Sequence, residues 1–158
     1  VAVTTRTPAT LGYRQVATVA AVSKNGAPLT YRSLAPACAL NGQQITPLAA
    51  VGECAISVTS AGNATAAPVT VILPIRLTVG AQTLGSFALA QSLKAYSKTN
   101  LPTETNFGEK VTYKAVGSCS VVRSVLTMRK GKCDISATSK ARKGLYEALS
   151  LKLTTTSK

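Results

Sequence analysis

The chain contains no histidine and no tryptophan, one methionine, two phenylalanines and only five acidic residues. Each shortage removes a class of function. Without histidine, the commonest general base and transition-metal ligand is missing. The acids Glu53, Glu104, Glu109, Asp134 and Glu147 are too scattered to build the clustered oxygen cage that calcium needs. Glu104 and Glu109 lie near each other, and they read as solvated loop acids rather than a catalytic pair. Serine and lysine abound, but no local signature marks a Ser-Lys dyad. Aromatics, at 4% of residues, are too sparse for single-strand base stacking, so sequence-specific nucleic-acid readout is not expected. No catalytic, cofactor-binding or metal-binding set emerges, and a non-enzyme without a cofactor is expected.

Long apolar runs are also missing. The most apolar stretch, residues 69–75, is short and interrupted by Pro74, so no transmembrane helix is expected. No basic start followed by a short apolar region is visible, so any secretory leader is expected to lie outside this chain, as is any anchor. Helical periodicity is nearly absent as well.

What the chain does contain is a repeat. Thr10-Leu11-Gly12 returns as Thr83-Leu84-Gly85, Leu29-Thr30-Tyr31-Arg32 as Val111-Thr112-Tyr113-Lys114, and Gly52-Glu53-Cys54-Ala55-Ile56-Ser57 as Gly131-Lys132-Cys133-Asp134-Ile135-Ser136. The offset drifts only slightly, as it does when two copies of one folding unit differ in their loops. Two domains are expected, residues 1–79 and 80–158, with the junction near residues 77–81. Domains this small bury modest cores, which covalent staples help to hold. Each copy has two cysteines, Cys38 and Cys54, then Cys119 and Cys133, and one disulfide within each repeat is the favoured reading. Four buried free thiols, or one metal site of four thiolates, are the alternatives; the metal lacks the short C-x-x-C spacing of most zinc knuckles. Disulfides imply an oxidising compartment outside the cytosol.

Short runs rich in Val, Thr, Ile, Leu and Tyr, separated by Gly, Pro, Asn and Ser, read as strands throughout. Residues 16–22, 29–32, 54–59 and 69–77 are expected strands of the first unit. Turns are expected at Asn25-Gly26 and at the hairpin signal Asn41-Gly42. The second unit is expected to place strands at residues 87–96, 110–114, 121–128, 133–138 and 145–153. A tight basic turn is expected at residues 128–133 and a long loop at 98–109. Alternation in the cysteine strands points Ile56, Val58, Ile135 and Ala137 inward, and Ser57 and Thr59 outward. Roughly six or seven strands per unit suggest an all-β fold of two sandwiches.

The first unit resembles the bacterial Ig-like repeats found in tandem in surface and extracellular proteins. The residues that carry the resemblance are Thr10-Leu11-Gly12, Gly26-Ala27-Pro28-Leu29-Thr30-Tyr31, Pro36-Ala37-Cys38-Ala39-Leu40, Ala49-Ala50-Val51-Gly52-Glu53-Cys54-Ala55-Ile56 and Ala61-Gly62-Asn63-Ala64. The second unit keeps Thr-Leu-Gly, Val-Thr-Tyr and both cysteines, but has Lys140-Ala141-Arg142-Lys143 in place of Ala-Gly-Asn-Ala. The resemblance implies Ig-like β-sandwiches serving as spacers, stalks or adhesive modules, and it brings no catalytic residues. Asn63-Ala64-Thr65, formally a glycosylation sequon, reads as turn chemistry in this setting.

Charge is the remaining signal. The net charge is +13, and thirteen of the 18 Lys/Arg residues lie beyond Val79. Arg123, Arg129, Lys130 and Lys132 precede the second cysteine strand, while Lys140, Arg142 and Lys143 follow it. A basic surface attracts polyanions such as teichoic acid, lipopolysaccharide or acidic glycans. Lysines on exposed strand edges also block edge-to-edge pairing. The expected function is a non-catalytic extracellular or cell-surface structural module, a stalk or a filament or array subunit. Its partners would be copies of itself, neighbouring surface-protein domains, or anionic cell-wall polymers. Two repeats are expected to make the subunit, with its ends, residues 1–8 and 154–158, able to add to a neighbour's sheet edge.

Overall fold

The computed structural model describes residues 3–158, so Val1 and Ala2 of the expected edge-adding end lie outside the described residues. The described residues form strands, turns and loops and contain no helix. In chain order the strands are β1 (Val3–Arg6), β2 (Thr10–Gly12), β3 (Ala17–Thr18), β4 (Ala20–Ser23), β5 (Leu29–Ser33), β6 (Cys38–Asn41) and β7 (Gln44–Pro47). There follow β8 (Glu53–Ser60), β9 (Val69–Thr78), β10 (Ser92–Leu93), β11 (Lys98–Asn100), β12 (Thr112–Val122), β13 (Val125–Ser139) and β14 (Leu149–Ser157). Contacts group the chain into two compact units, Val1–Gly80 with Gly144–Tyr146, and Ala81–Lys143 with Glu147–Lys158.

In the first unit, one sheet runs β2-β9-β8-β5 and another β3-β7-β6, with β1 and β4 forming a short pair. Alternation decides what each strand buries. Cys54, Ile56 and Val58 of β8 and Leu73, Ile75 and Leu77 of β9 point into one cluster. Ile45 of β7 and Cys38 of β6 enter that cluster from the other sheet. The Cys38–Cys54 disulfide therefore joins strands of two sheets, with Cα atoms 5.9 Å apart. The expected strand at residues 16–22 is broken at Val19, which is fully buried and donates its amide to Gln43. On either side, Ala17–Thr18 pairs with β7 and Ala20–Ser23 with β1, so the segment passes from one sheet to another. A two-residue hairpin loop forms at the Asn41-Gly42 signal but one position later than expected: Gly42 and Gln43 make the loop, Gly42 at φ 59°, while Asn41 ends β6 opposite Gln44.

The second unit fuses what the first keeps separate. Its long strands β12 and β13 form one hairpin. The base of that hairpin matches β5 and β8 in register: Tyr31 faces Val58, and Tyr113 faces Ala137. Arg32 faces Ser57, and Lys114 faces Ser136. The tip occupies the place of β6 and β7. The two halves meet at a bulge where four residues of β13, Arg129 to Lys132, stand opposite the single Ser118 of β12. The Cys119–Cys133 disulfide crosses this bulge, Cα atoms 5.6 Å apart. Both cysteine pairings are those expected of one staple per repeat.

Several expectations for this unit are corrected. Residues 121–128 are not one strand, because Arg123 and Ser124, at φ 48° and 62°, form the hairpin turn. The basic turn expected at residues 128–133 is the bulge, inside β13. Residues 87–96 pair only through Ser92–Leu93; Phe87 and Leu89 instead cover the core cluster of Leu126, Met128, Cys133 and Ile135. Thr83-Leu84-Gly85 forms no strand, unlike Thr10-Leu11-Gly12, although Leu84 is buried. At the ends of the described chain, β1 pairs with β4, and β14 with β13 and β10.

Candidate functional site: a basic sheet face

Residues directly opposite one another in a ladder share a face. In β13, Cys133, Ile135 and Ala137 are buried, so Lys132, Asp134, Ser136 and Thr138 occupy the outward face. Their neighbours follow from the register. Lys114 and Lys152 flank Ser136 from β12 and β14. Val116 and Thr154 flank Asp134, and Thr112 and Ser150 flank Thr138. Strands lie about 4.8 Å apart, which places Lys114 and Lys152 roughly 10 Å from each other at the backbone. Both are exposed.

At one end of this face, Lys132 Nζ lies 3.2 Å from Asp134 Oδ2, and both side chains are more than half exposed. Thr154 Oγ1 donates to Asp134 Oδ1 at 2.7 Å. The Thr154 hydroxyl, then the Lys132 ammonium and the charge of Lys152, hold the Asp134 carboxyl below its ordinary range. At the other end, Lys110, Lys140, Thr112 and Thr138 line an open cleft of about 850 Å³, together with Glu109.

The segment carrying Lys140 is fastened from below. Buried Gln82 donates from Nε2 to the carbonyls of Lys140 and Glu147, each at 2.7 Å. Its Oε1 accepts from Thr105 Oγ1 at 2.8 Å. Asn106 accepts from the Thr83 amide at 2.8 Å. The loop expected at residues 98–109 begins with β11, paired to β13, and its remainder, residues 101–109, is thereby tied to the body of its unit; Tyr113 adds a bond from its hydroxyl to Pro102 O at 2.7 Å. Burial raises the Tyr113 hydroxyl pKa.

The seven basic residues singled out in the sequence are all exposed. They do not form one cluster. Arg123 sits at the hairpin tip, Arg129 and Lys130 in the bulge, and Arg142 and Lys143 in the loop after β13. Lys132 in β13 and Lys140 just past its end lie eight positions apart, about 26 Å at the usual rise. Lys114 and Lys152 fill the interval and Lys110 stands beside Lys140, and sequence reasoning missed all three. The signal for Lys114 was present, because Arg32 holds the same place after Leu29-Thr30-Tyr31 in the first copy. Asn63 acts as turn chemistry, its Oδ1 accepting from the amide and hydroxyl of Thr65 at 3.1 and 3.0 Å.

The first unit presents a different outer face. Arg32, Ser57 and Ile72 form the row that matches Lys114, Ser136 and Lys152. Ser57 points to this face as expected but is covered, and it donates to Arg32 O at 3.4 Å. Thr59 and Thr70 share a hydroxyl hydrogen bond of 2.9 Å. Ile72 is 59% exposed.

Among the described residues no group of three or more His, Cys, Asp or Glu could hold a metal ion. Among the described residues no helix is long and apolar enough to cross a membrane.

No protein-family model matches the chain. No curated protein matches it in sequence. Among solved structures, that of human protocadherin-24 EC1-2 is similar, with 12% identity and a TM-score of 0.37 over 100% of this chain and 98% of that one. At that score the likeness carries no argument about this protein.

Proposed function

We propose that the chain is a non-catalytic, extracellular structural module built from two Ig-like β-sandwich domains in tandem, residues 1–79 and 80–158. It works as a stalk, or as a subunit of a filament or array, of a bacterial surface protein. The observation that carries the reading is the shared register of the two copies, Tyr31 opposite Val58 and Tyr113 opposite Ala137, each beside its own disulfide. Repetition of a stapled unit suits a part that transmits load or sets distance. Disulfides persist in oxidising compartments, which supports a place outside the cytosol. Its partners are further copies or neighbouring domains of the surface assembly. Electron microscopy of the purified protein over a range of concentrations tests the subunit role. Ordered filaments or arrays support it, and a dispersed monomer at every concentration removes it. Turnover of any ester or glycan in a substrate panel would overturn the non-catalytic reading.

A second reading is an adhesive module for anionic surface polymers such as teichoic acid, lipopolysaccharide or acidic glycan. The excess of cations in the second unit favours it, with Arg123, Arg129, Lys130, Lys132, Lys140, Arg142 and Lys143 as candidate contacts. Replacing Arg129, Lys130 and Lys132 by serine is expected to weaken retention on an anionic polymer while barely altering stability, because exposed charges contribute little to folding.

A further inference from the structure

We propose that the outward face of β12, β13 and β14 is a docking track for one linear acidic polysaccharide, laid along the strand direction. The proposal rests on the polymer-binding reading and deepens it by naming the surface and the ligand class. The track begins at the cleft of Lys110 and Lys140, continues between Lys114 and Lys152, and ends at Lys132. It joins the two basic clusters that the sequence separates.

Three observations favour this occupant. Among the described residues Lys114 and Lys152 sit in no close ion pair, and Lys152 acts on Asp134 only through its longer-range charge, so both exposed ammonium groups are available to a ligand. Hydroxyls stand between and beside the cations: Ser136 between Lys114 and Lys152, Thr112, Thr138 and Ser150 in the next row. A sugar chain offers both the anionic groups and the hydroxyls to match them. Thirdly, the three rows carry no aromatic side chain on which a base could stack, and Val116 is their only apolar residue. Base stacking on aromatics is a main source of single-strand nucleic-acid affinity, and burial of an apolar face anchors surface helices to membranes. This face supplies neither.

Asp134 is the one acid within the rows. It neutralises Lys132 at 3.2 Å and sits one row from Lys114 and Lys152. It repels an incoming anion, so its removal is informative.

The test is retention of the full chain on immobilised heparin, a sulfated polysaccharide, as salt is raised. Lys114→Ser with Lys152→Ser is expected to weaken binding about three- to tenfold, because each exposed ion pair contributes modestly. Asp134→Asn is expected to strengthen it. Lys94→Ser with Lys98→Ser removes the same charge from the β10–β11 segment of the same unit, outside the track and the candidate contacts, and is expected to leave retention near wild type. Unchanged thermal melts verify that each variant folds. Equal weakening by the two double variants would show that only net charge matters, overturning the track. Wild-type binding that neither double variant alters would place the site elsewhere and overturn the track alone. No wild-type retention at low salt would overturn the polymer-binding reading as well. Tighter binding to single-stranded DNA or to anionic lipid vesicles than to heparin would overturn the ligand class.

Discussion

Gly117 and Lys132 approach so closely across the β12–β13 bulge that a Cβ on the glycine would run into the lysine's carbonyl oxygen. Gly117 also has φ 101°, a region that other residues rarely enter. Gly117→Ala therefore combines a backbone collision with a strained dihedral and is expected to cost about 2–4 kcal/mol in denaturant unfolding. Gly26, at φ 66° with open space around it, is the control; its alanine variant should lose only about 1 kcal/mol. Similar losses at both sites would show that the bulge is looser than its geometry implies.

Buried Gln82 bridges three partners at once. Gln82→Leu leaves the Thr105 hydroxyl and two carbonyls without that partner. Each buried unmet group costs roughly 1–3 kcal/mol, so a loss of at least about 2 kcal/mol is expected. Faster amide exchange should accompany it in the segment around residues 140–147. Unchanged exchange there would separate Gln82 from the placement of Lys140.

Ile56 and Ile135 occupy matching core positions at 0% and 1% exposure. Alanine at either should cost about 2–5 kcal/mol by equilibrium unfolding. Ile72→Ala, on the outer face, should cost well under 1 kcal/mol.

The carboxyl of Asp134 is held below its ordinary range in the folded protein. A depressed folded pKa contributes stability that is present above the unfolded value, near 3.9, and is lost as pH falls through the folded value. The side chain is more than half exposed, so the contribution is small. Thr154→Val removes the largest cause, and the NMR titration midpoint of Asp134 should rise toward the ordinary range. No movement would mean that the lysines alone set it.

Much of the first unit is legible because its strands obey local rules. Cys54, Ile56 and Val58 alternate with smaller or polar residues, and Gly42 opens a hairpin turn whose φ glycine accepts readily. The second unit is harder to read where tertiary structure overrides local chemistry. Arg123 and Ser124 both adopt positive φ without glycine, so the true turn carries no signal. Gly131 looks like turn chemistry but serves a bulge, because its Cβ position is filled by the Ser118 side chain. Phe87 and Leu89 look like strand residues but supply core cover. The basic face escaped detection because its lysines come from three strands. Only the register sets Lys114 and Lys152 on either side of Ser136.

Stretching single molecules of the full chain from its two ends, before and after reduction, tests the account most directly. Two separate unfolding events are expected, one for each stapled unit. Reduction should lengthen each event by the chain its disulfide had locked, 16 residues in one unit and 14 in the other. At about 3.5 Å per extended residue each gain is roughly 50 Å. A single cooperative event, or released lengths that reduction leaves unchanged, would contradict a module made of two independently stapled domains.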